Sequence, residues 1–502
     1  MRGSAGHGLA TRPRVEPVVA PQASRGPGLR RVEWDRYRPL RGRLLAPVKV
    51  GLAFSLLTYL LFAFGVWNFP GRHSPQLALW VLAFNLAMYA GFRTGVRNRP
   101  RKRVRVGAER TAELVERLIR VAFVTTLVTF IPRLVIETQL YGLGLDDLVS
   151  RVRLGLDDAL NVYQRRATSV QPPAAWVYVN YLCVATGFIA WLYTPLAILF
   201  WQRLSAWRRV LTIAFWAAAI VSATARGQNY GVFDLGIRIV VFVLIRRYFI
   251  GRESTAATRS AGPAPARRRL RVGQAVTAAA LALVMVGFFT NTMRSRVGDQ
   301  YDRLLAVGGQ YVTIDQHSPI WVICPEALRP VWATLLAYVT HGYMGLGLSL
   351  RMPFDTTLGL GNSLFLIDNV KQMLGIDLLP LTYQDKVFAE YGYHYSILWH
   401  TAYTWLANDV SFWGVPVVLF WLLHVFGSGW SDFVLSRNLF GVLLMAPMAT
   451  MMSFISANNQ LTSNPNSLAA MIVLTLCWSA TRDRYDWAGA FQLLEDRAGR
   501  RA

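Results

Sequence analysis

Lysine is almost missing from this 502-residue chain. It stands only at Lys49, Lys102, Lys371 and Lys386, so nearly all of the 53 basic side chains are arginine. That bias reads as a GC-rich coding composition and carries no functional weight. Acidic residues are scarce as well, 28 against those 53, which leaves a net charge of +25. A charge of that size would suit nucleic acid, but the arginines sit in short segments flanking apolar runs, where cytoplasmic loops of membrane proteins concentrate them. No nucleic-acid partner is expected. Cysteine is limited to Cys183 and Cys477, inside apolar runs, and Cys324, alone in a long segment between runs, so no disulfide framework is expected. No His, Cys, Asp or Glu spacing typical of metal ligands occurs, and neither a metal nor a cofactor is expected. The arginine- and proline-rich N-terminus has no apolar core of its own and reads as a disordered basic cytoplasmic tail rather than a cleaved signal peptide.

What is abundant is apolar sequence in runs long enough to cross a hydrocarbon layer as helices. About ten such runs fall near 47–69, 76–92, 118–136, 175–201, 210–225, 232–245, 274–290, 414–427, 439–455 and 468–480. The expected fold is an all-α polytopic membrane protein with a large, mostly helical exterior loop between spans seven and eight. The expected division is a tail over 1–45, spans one to seven over 46–290, the exterior loop over 291–413, spans eight to ten over 414–481, and a tail over 482–502. The basic stretch 93–110, containing RNRPRKRVR, belongs inside, which puts both termini inside.

Two further segments carry expectations. LGLDD occurs at 143–147 and again at 154–158, three helical turns apart, with Leu145, Leu148, Val149, Val152, Leu156, Leu160 and Tyr163 as the opposing apolar stripe. A helix near 143–166 lying in the membrane surface fits that pattern, its acidic face either solvated or gripping a cation or sugar hydroxyls. Segment 331–350 is nearly apolar over a span's length, but if it crossed, the basic C-terminal tail would lie outside; an interfacial or buried helix is expected instead. Arg238, inside span six, is expected to meet water or an anion.

Candidate chemistry gathers on the exterior. Arg226, at the lip of span five, sits where its planar donors match phosphate oxygens, or else anchors a helix end; Gly227 beside it allows close approach of a ligand. His341, in a glycine-rich apolar stretch, has the pKa range of a general base, although a histidine so placed is more often a hydrogen-bonded structural one. Arg351 follows ten residues on, before Asp355 and Gly359-Leu360-Gly361-Asn362-Ser363, a glycine run without the lysine of a phosphate-binding P-loop. The stretch 391–413 is dense in aromatics, suited to sugar rings or to the bilayer interface. Glu390 and Asp409 bracket it with carboxylates.

These segments resemble bacterial O-antigen polymerase-like proteins, the oligosaccharide repeat-unit polymerases related to O-antigen ligases. The residues that carry the resemblance are TARGQNYGVFDLGI, YVTHGYMGLGLSL with the following LGLGNS, WHTAYTWLANDVSFWG, and ANNQ, within roughly 210–466. The resemblance implies metal-independent transfer of a polyprenyl-diphosphate-linked glycan at the outer face of the bacterial cytoplasmic membrane. Arg226 would match the hairpin arginine that grips diphosphate. His341 matches by lying in the large loop, and Arg351 by being the next basic residue. Tyr343, Trp405, Asn458 and Asn459 complete the set expected to contact the glycan, with His341, Glu390 or Asp409 as base. Membrane lipids and a chain-length regulator or other polysaccharide-assembly protein are the implied partners. An Arg followed eleven residues later by Gly, a pattern of some polymerase loops, does not occur in this exterior loop. Two alternatives stay open: a glycosyltransferase using polyprenyl-monophosphate sugars, for which the first exterior turn, 70–75, lacks the acid that such enzymes carry, and a lipid-linked oligosaccharide transporter.

Overall fold

The computed structural model describes residues 41–98, 104–139, 148–157, 174–225, 229–250, 287–288, 290–291, 305–307, 310–395 and 398–499. Contacts divide the chain into Met1–Arg43 and Leu44–Ala502, and the main helices all belong to the second unit. They are α1 Ala46–Phe64, α2 Pro75–Arg97, α3 Ala108–Gln139, α4 Leu148–Asp157, α5 Ala174–Leu199, α6 Ala206–Ala225, α7 Asn229–Ile245, α8 Arg329–Ser349, α9 Leu364–Leu374, α10 Tyr383–Tyr391, α11 Ala402–Ser436, α12 Leu439–Leu443, α13 Met445–Phe454, α14 Pro465–Thr481 and α15 Trp487–Gly499. A two-stranded antiparallel hairpin, Leu305–Val307 with Gln310–Val312, interrupts the helical pattern where a mostly helical loop is expected.

Five helical stretches among the described residues are long and apolar enough to cross a membrane: α1, α2, Leu182–Leu199 of α5, α6 and α11. Leu439–Phe454 and Pro465–Thr481 are shorter and apolar. The expected run at 118–136 lies within α3, whose first turns, AERTAELVERLIR, are too charged for lipid. The run at 274–290 lies almost wholly outside the described residues. α8 is 21 residues long yet is not among the five. The spanning helices expose apolar stripes at helical spacing, Leu79, Leu82 and Leu86 on α2 and Trp413, Val417 and Trp421 on α11, as surfaces that face hydrocarbon do.

α2 and α11 pack backbone to backbone, and glycine makes that possible. A methyl group at Gly91 would overlap the Phe420 carbonyl oxygen, one at Gly95 that of His424, and one at Gly427 that of Phe92. Gly91 and Gly95 are four apart, the small-xxx-small spacing by which helices in lipid bring their backbones together. Ser428 and Ser431 then donate to the carbonyls of Gly95 (3.1 Å) and Val96 (3.0 Å). α11 is bent at Ser411, whose φ of 55° and ψ of 170° separate a short leading helix from the long apolar one.

α8 is fixed over α1 by polar ties. Tyr343 Oη donates to Ser55 O (3.0 Å) and lies 3.1 Å from Thr58 Oγ1, and Trp67 Nε1, just after α1, donates to Ala333 O (2.9 Å); Ser55 Oγ also lies 3.1 Å from Tyr403 Oη of α11. α4 packs through Gly155, where a methyl would overlap Thr224 O. The first LGLDD repeat and residues 158–173 lie outside the described residues, so the expected acidic face is represented by Asp157, exposed and 3.6 Å from Arg153.

Arg238 does meet an anion. Its Nη2 lies 2.8 Å from Asp234 Oδ2, Nη1 donates to Trp191 O (2.7 Å), and the guanidinium stacks 4.6 Å from the Trp191 ring. The partner is one helical turn away on α7, and Trp191 Nε1 and Thr450 Oγ1 donate to the same carboxylate at 2.9 and 3.0 Å.

Candidate functional site

The glycine run after α8 wraps around Asp409. One carboxylate oxygen accepts the backbone N–H of Gly359 and Gly361, each at 3.0 Å, and the hydroxyl of Thr357; the other accepts Asn362 Nδ2 at 3.0 Å. Leu358 (φ +56°) and Gly359 (φ +87°) take left-handed backbone in a loop that turns the N–H groups of Gly359 and Gly361 toward one point, while that of Leu360 donates to Thr357 O (3.1 Å). Concave loops of this kind bind anions, and here the anion is the protein's own side chain. The run at 359–363 is therefore an anion nest without the P-loop's lysine. Lys386 is bound elsewhere, to Asp355 at 2.6 Å and Pro353 O at 2.9 Å.

Asn362 extends this cluster to the segment after α13. Its carbonyl oxygen accepts Asn459 Nδ2 (2.9 Å) and Thr462 Oγ1 (3.0 Å). On the other side, buried Asn408 donates to Gly361 O (2.7 Å) and Gln384 Oε1 (2.8 Å), and its own Oδ1 accepts the Tyr383 N–H (2.9 Å). Asn464 Nδ2 donates to Tyr230 Oη (2.6 Å), which ties the start of α7 to the same region.

A second cluster surrounds His341. Nδ1–H donates to Ala337 O (2.7 Å), which leaves Nε2 to accept the Trp399 backbone N–H (2.8 Å). Tyr393 Oη bridges the carbonyls of His341 (3.1 Å) and Trp399 (2.8 Å). Burial lowers the His341 pKa to about 4, offset in part by the Ala337 bond. His400 is also buried, and burial followed by the His341 charge lowers its pKa to about 3. Neither His400 ring nitrogen has a hydrogen-bond partner among the described residues. Gly345 lies against this ring, since a methyl there would come within 2.9 Å of Nδ1.

The nine residues singled out from sequence therefore separate. Asp409 and Asn459 belong to one cluster, while Asn458 sits beside it, its Oδ1 accepting the Asn459 N–H at 2.7 Å. His341 holds the Trp399 backbone N–H, and both of its ring nitrogens are occupied. Tyr343 is buried against α1, and Trp405 is buried against Ile367 and Leu378. Glu390 and Arg351 are exposed, and their side chains make no hydrogen bond or ion pair among the described residues. Arg226 lies outside the described residues. Asn362, Thr357, Gln384 and Asn408 carry no expectation from sequence; the signal for them is the short polar residues beside Gly359, Gly361 and Asp409.

Among the described residues no group of three His, Cys, Asp or Glu could hold a metal ion, and the three cysteines are unbridged. Comparison with known proteins finds no matching family model, no matching curated protein and no matching solved structure.

Proposed function

We propose that this chain is a membrane glycosyltransferase that lengthens polyprenyl-diphosphate-linked oligosaccharides at the outer face of the bacterial cytoplasmic membrane, with ten spans and both termini cytoplasmic. The supporting observation is convergence. LGLGNS, LANDVS and ANNQ, separated by about fifty residues each, join through Asp409, Asn362 and Asn459. The hairpin segment reaches the same region through Tyr230 and Asn464, and His341 links its stretch to WHTAY. Segments far apart in a chain converge on a site when several of them must contact one ligand.

In the proposed reaction Arg226 and Arg351 hold the donor diphosphate, matching its oxygens with charge-assisted hydrogen bonds. The anomeric carbon–oxygen bond breaks as the acceptor hydroxyl attacks from the opposite face, and the diphosphate leaves as the anion that the arginines neutralise. Glu390 takes the acceptor's proton, because its carboxylate is uncommitted among the described residues whereas that of Asp409 is engaged by four donors and the His341 lone pair by Trp399. Asp409 acts by positioning the 356–363 loop. With purified protein and lipid-linked repeat units, Arg226→Ala is expected to abolish product lengthening while the protein stays in the membrane, and Glu390→Gln to slow it by about 10²-fold or more. Normal chain length in Arg226→Ala removes that residue from the mechanism.

The buried Asp234–Arg238 pair favours a second reading, transport, since ionised pairs inside membrane helices also mark translocation paths. Vesicles loaded with repeat units separate the two: longer glycans indicate transfer, unchanged units on the far side indicate transport.

A further inference from the structure

Leu358 combines two unfavourable features. Its backbone is left-handed, where a bulky side chain is strained, and its side chain is 83% exposed. Nothing inside the loop calls for leucine at this position, since the nest uses the N–H groups of Gly359 and Gly361, and the Leu358 N–H bonds Thr356 Oγ1 (3.2 Å). The Asp409 clamp thus holds an apolar side chain outward at a cost.

The surroundings continue that apolar surface. Leu360 and Phe354 are exposed in the same loop, and Thr356 Oγ1 donates to Asp409 O (3.1 Å), which seats the loop on the turn of α11 that carries exposed Val410 and leads to Trp413. Trp413 is 81% exposed, begins the outward stripe of α11, and lies 4.8 Å from Trp80, in the second turn of α2. Paired tryptophans near the start of two spanning helices mark a membrane–water boundary. Phe354 reaches the same place through Tyr383, 6.4 Å away, which in turn lies 4.9 Å from Phe412.

We propose that the tip of the 356–361 loop, through Leu358 and Leu360, is inserted into the adjoining membrane leaflet and that bulk lipid acyl chains cover it. Continuity with the hydrocarbon-facing stripe of α11 identifies the occupant. Moving leucine from water into acyl chains offsets the backbone strain, and Asp409 becomes the clamp that sets the depth of insertion. Insertion of this loop does not depend on the transfer chemistry.

The test is an environment-sensitive fluorophore on Leu358→Cys, in a background with Cys183, Cys324 and Cys477 changed to alanine, in nanodiscs of phosphatidylglycerol and phosphatidylcholine. Glu390→Cys carries the same probe as an exposed polar control. The label at 358 is expected to emit at shorter wavelength, to lose most of its emission to lipids bearing a nitroxide high on the acyl chain, and to resist iodide, with the reverse at 390. Adding Asp409→Asn should shift the 358 label toward iodide quenching. Iodide quenching at 358 equal to that at 390 overturns the proposal. Cross-linking of two Leu358→Cys chains without lipid quenching also overturns it, in favour of a contact between copies. Lipid quenching that appears only after polyprenyl-linked substrate is added overturns it in favour of the substrate's tail.

Discussion

Two Asp–Trp–Arg triads hold charge inside this protein with the same geometry and opposite wiring. At Asp234, Trp191 and Arg238, the indole donates to the carboxylate at 2.9 Å and the guanidinium stacks at 4.6 Å. At Asp432, Trp478 and Arg482 the corresponding distances are 2.8 and 4.6 Å. In the first, Asp and Arg are four apart on α7 and the tryptophan comes from α5. In the second, Trp478 and Arg482 are four apart at the end of α14, and the carboxylate comes from α11, its Oδ2 3.0 Å from Arg482 Nε. The first triad thus neutralises its charge within one helix and uses the indole to link helices. The second uses the ion pair itself as the link. Their surroundings differ too: the Arg238 side chain is 8% exposed, whereas that of Arg482 is 15% exposed and also donates to Asn98 O (2.8 Å). Each arginine keeps a backbone carbonyl when its carboxylate is removed, Trp191 O for Arg238 and Asn98 O for Arg482, but only the Arg482 end also has a path to water.

The largest effect is expected from Asp234→Ala, at about 3–5 kcal/mol of stability, the cost of removing one partner from a buried pair. Unfolding in detergent by denaturant measures it, and the double change Asp234→Leu with Arg238→Leu should cost less than Asp234→Ala. Asp432→Ala is expected to cost less, about 1–3 kcal/mol; equal losses at the two sites would show that local wiring and exposure do not govern the difference. The smallest effect, taken between pH 7 and 6, is a pH dependence common to wild type and both variants. His341 and His400 have lowered pKa values in the folded protein, so as pH falls the unfolded chain binds protons first. Stability is lost as pH falls through about 6.5 toward 4 for His341 and toward 3 for His400, and over pH 7 to 6 alone the loss is under about 1 kcal/mol per ring. Parallel curves for all three proteins would separate these histidines from the triads.

Legibility from sequence varies by element. Apolar runs show the membrane helices of α1, α2, α5, α6 and α11, because hydrocarbon demands long uncharged stretches and tolerates little else. The charged opening of α3 and the shortness of α12–α14 blur the others. Arg238 announces a need for an anion, and Asp234 stands at the i, i+4 spacing that pairs them on a helix, whereas nothing in the sequence adds Trp191 and Thr450 to the same carboxylate. For the candidate site, Asp409 and Asn459 stand out separately, yet nothing in their spacing shows that Asn362 joins them. His341 reads as base or as structural histidine, and its two hydrogen bonds depend on Ala337 and on a backbone N–H fifty-eight residues away.

Composition and periodicity by themselves determined the helical membrane class, since burial of backbone polar groups in lipid leaves few other solutions. They also marked the segment between the seventh and eighth apolar runs as the place where polar chemistry gathers. Only the tertiary structure decided that a glycine run folds into a nest for Asp409, that Gly91 and Gly95 bring α2 against α11, and that two distant Asp–Trp–Arg sets share one geometry. Those outcomes rest on contacts between residues tens to hundreds of positions apart, and hydrogen bonds and close backbone approach at that separation leave no period in the sequence to read.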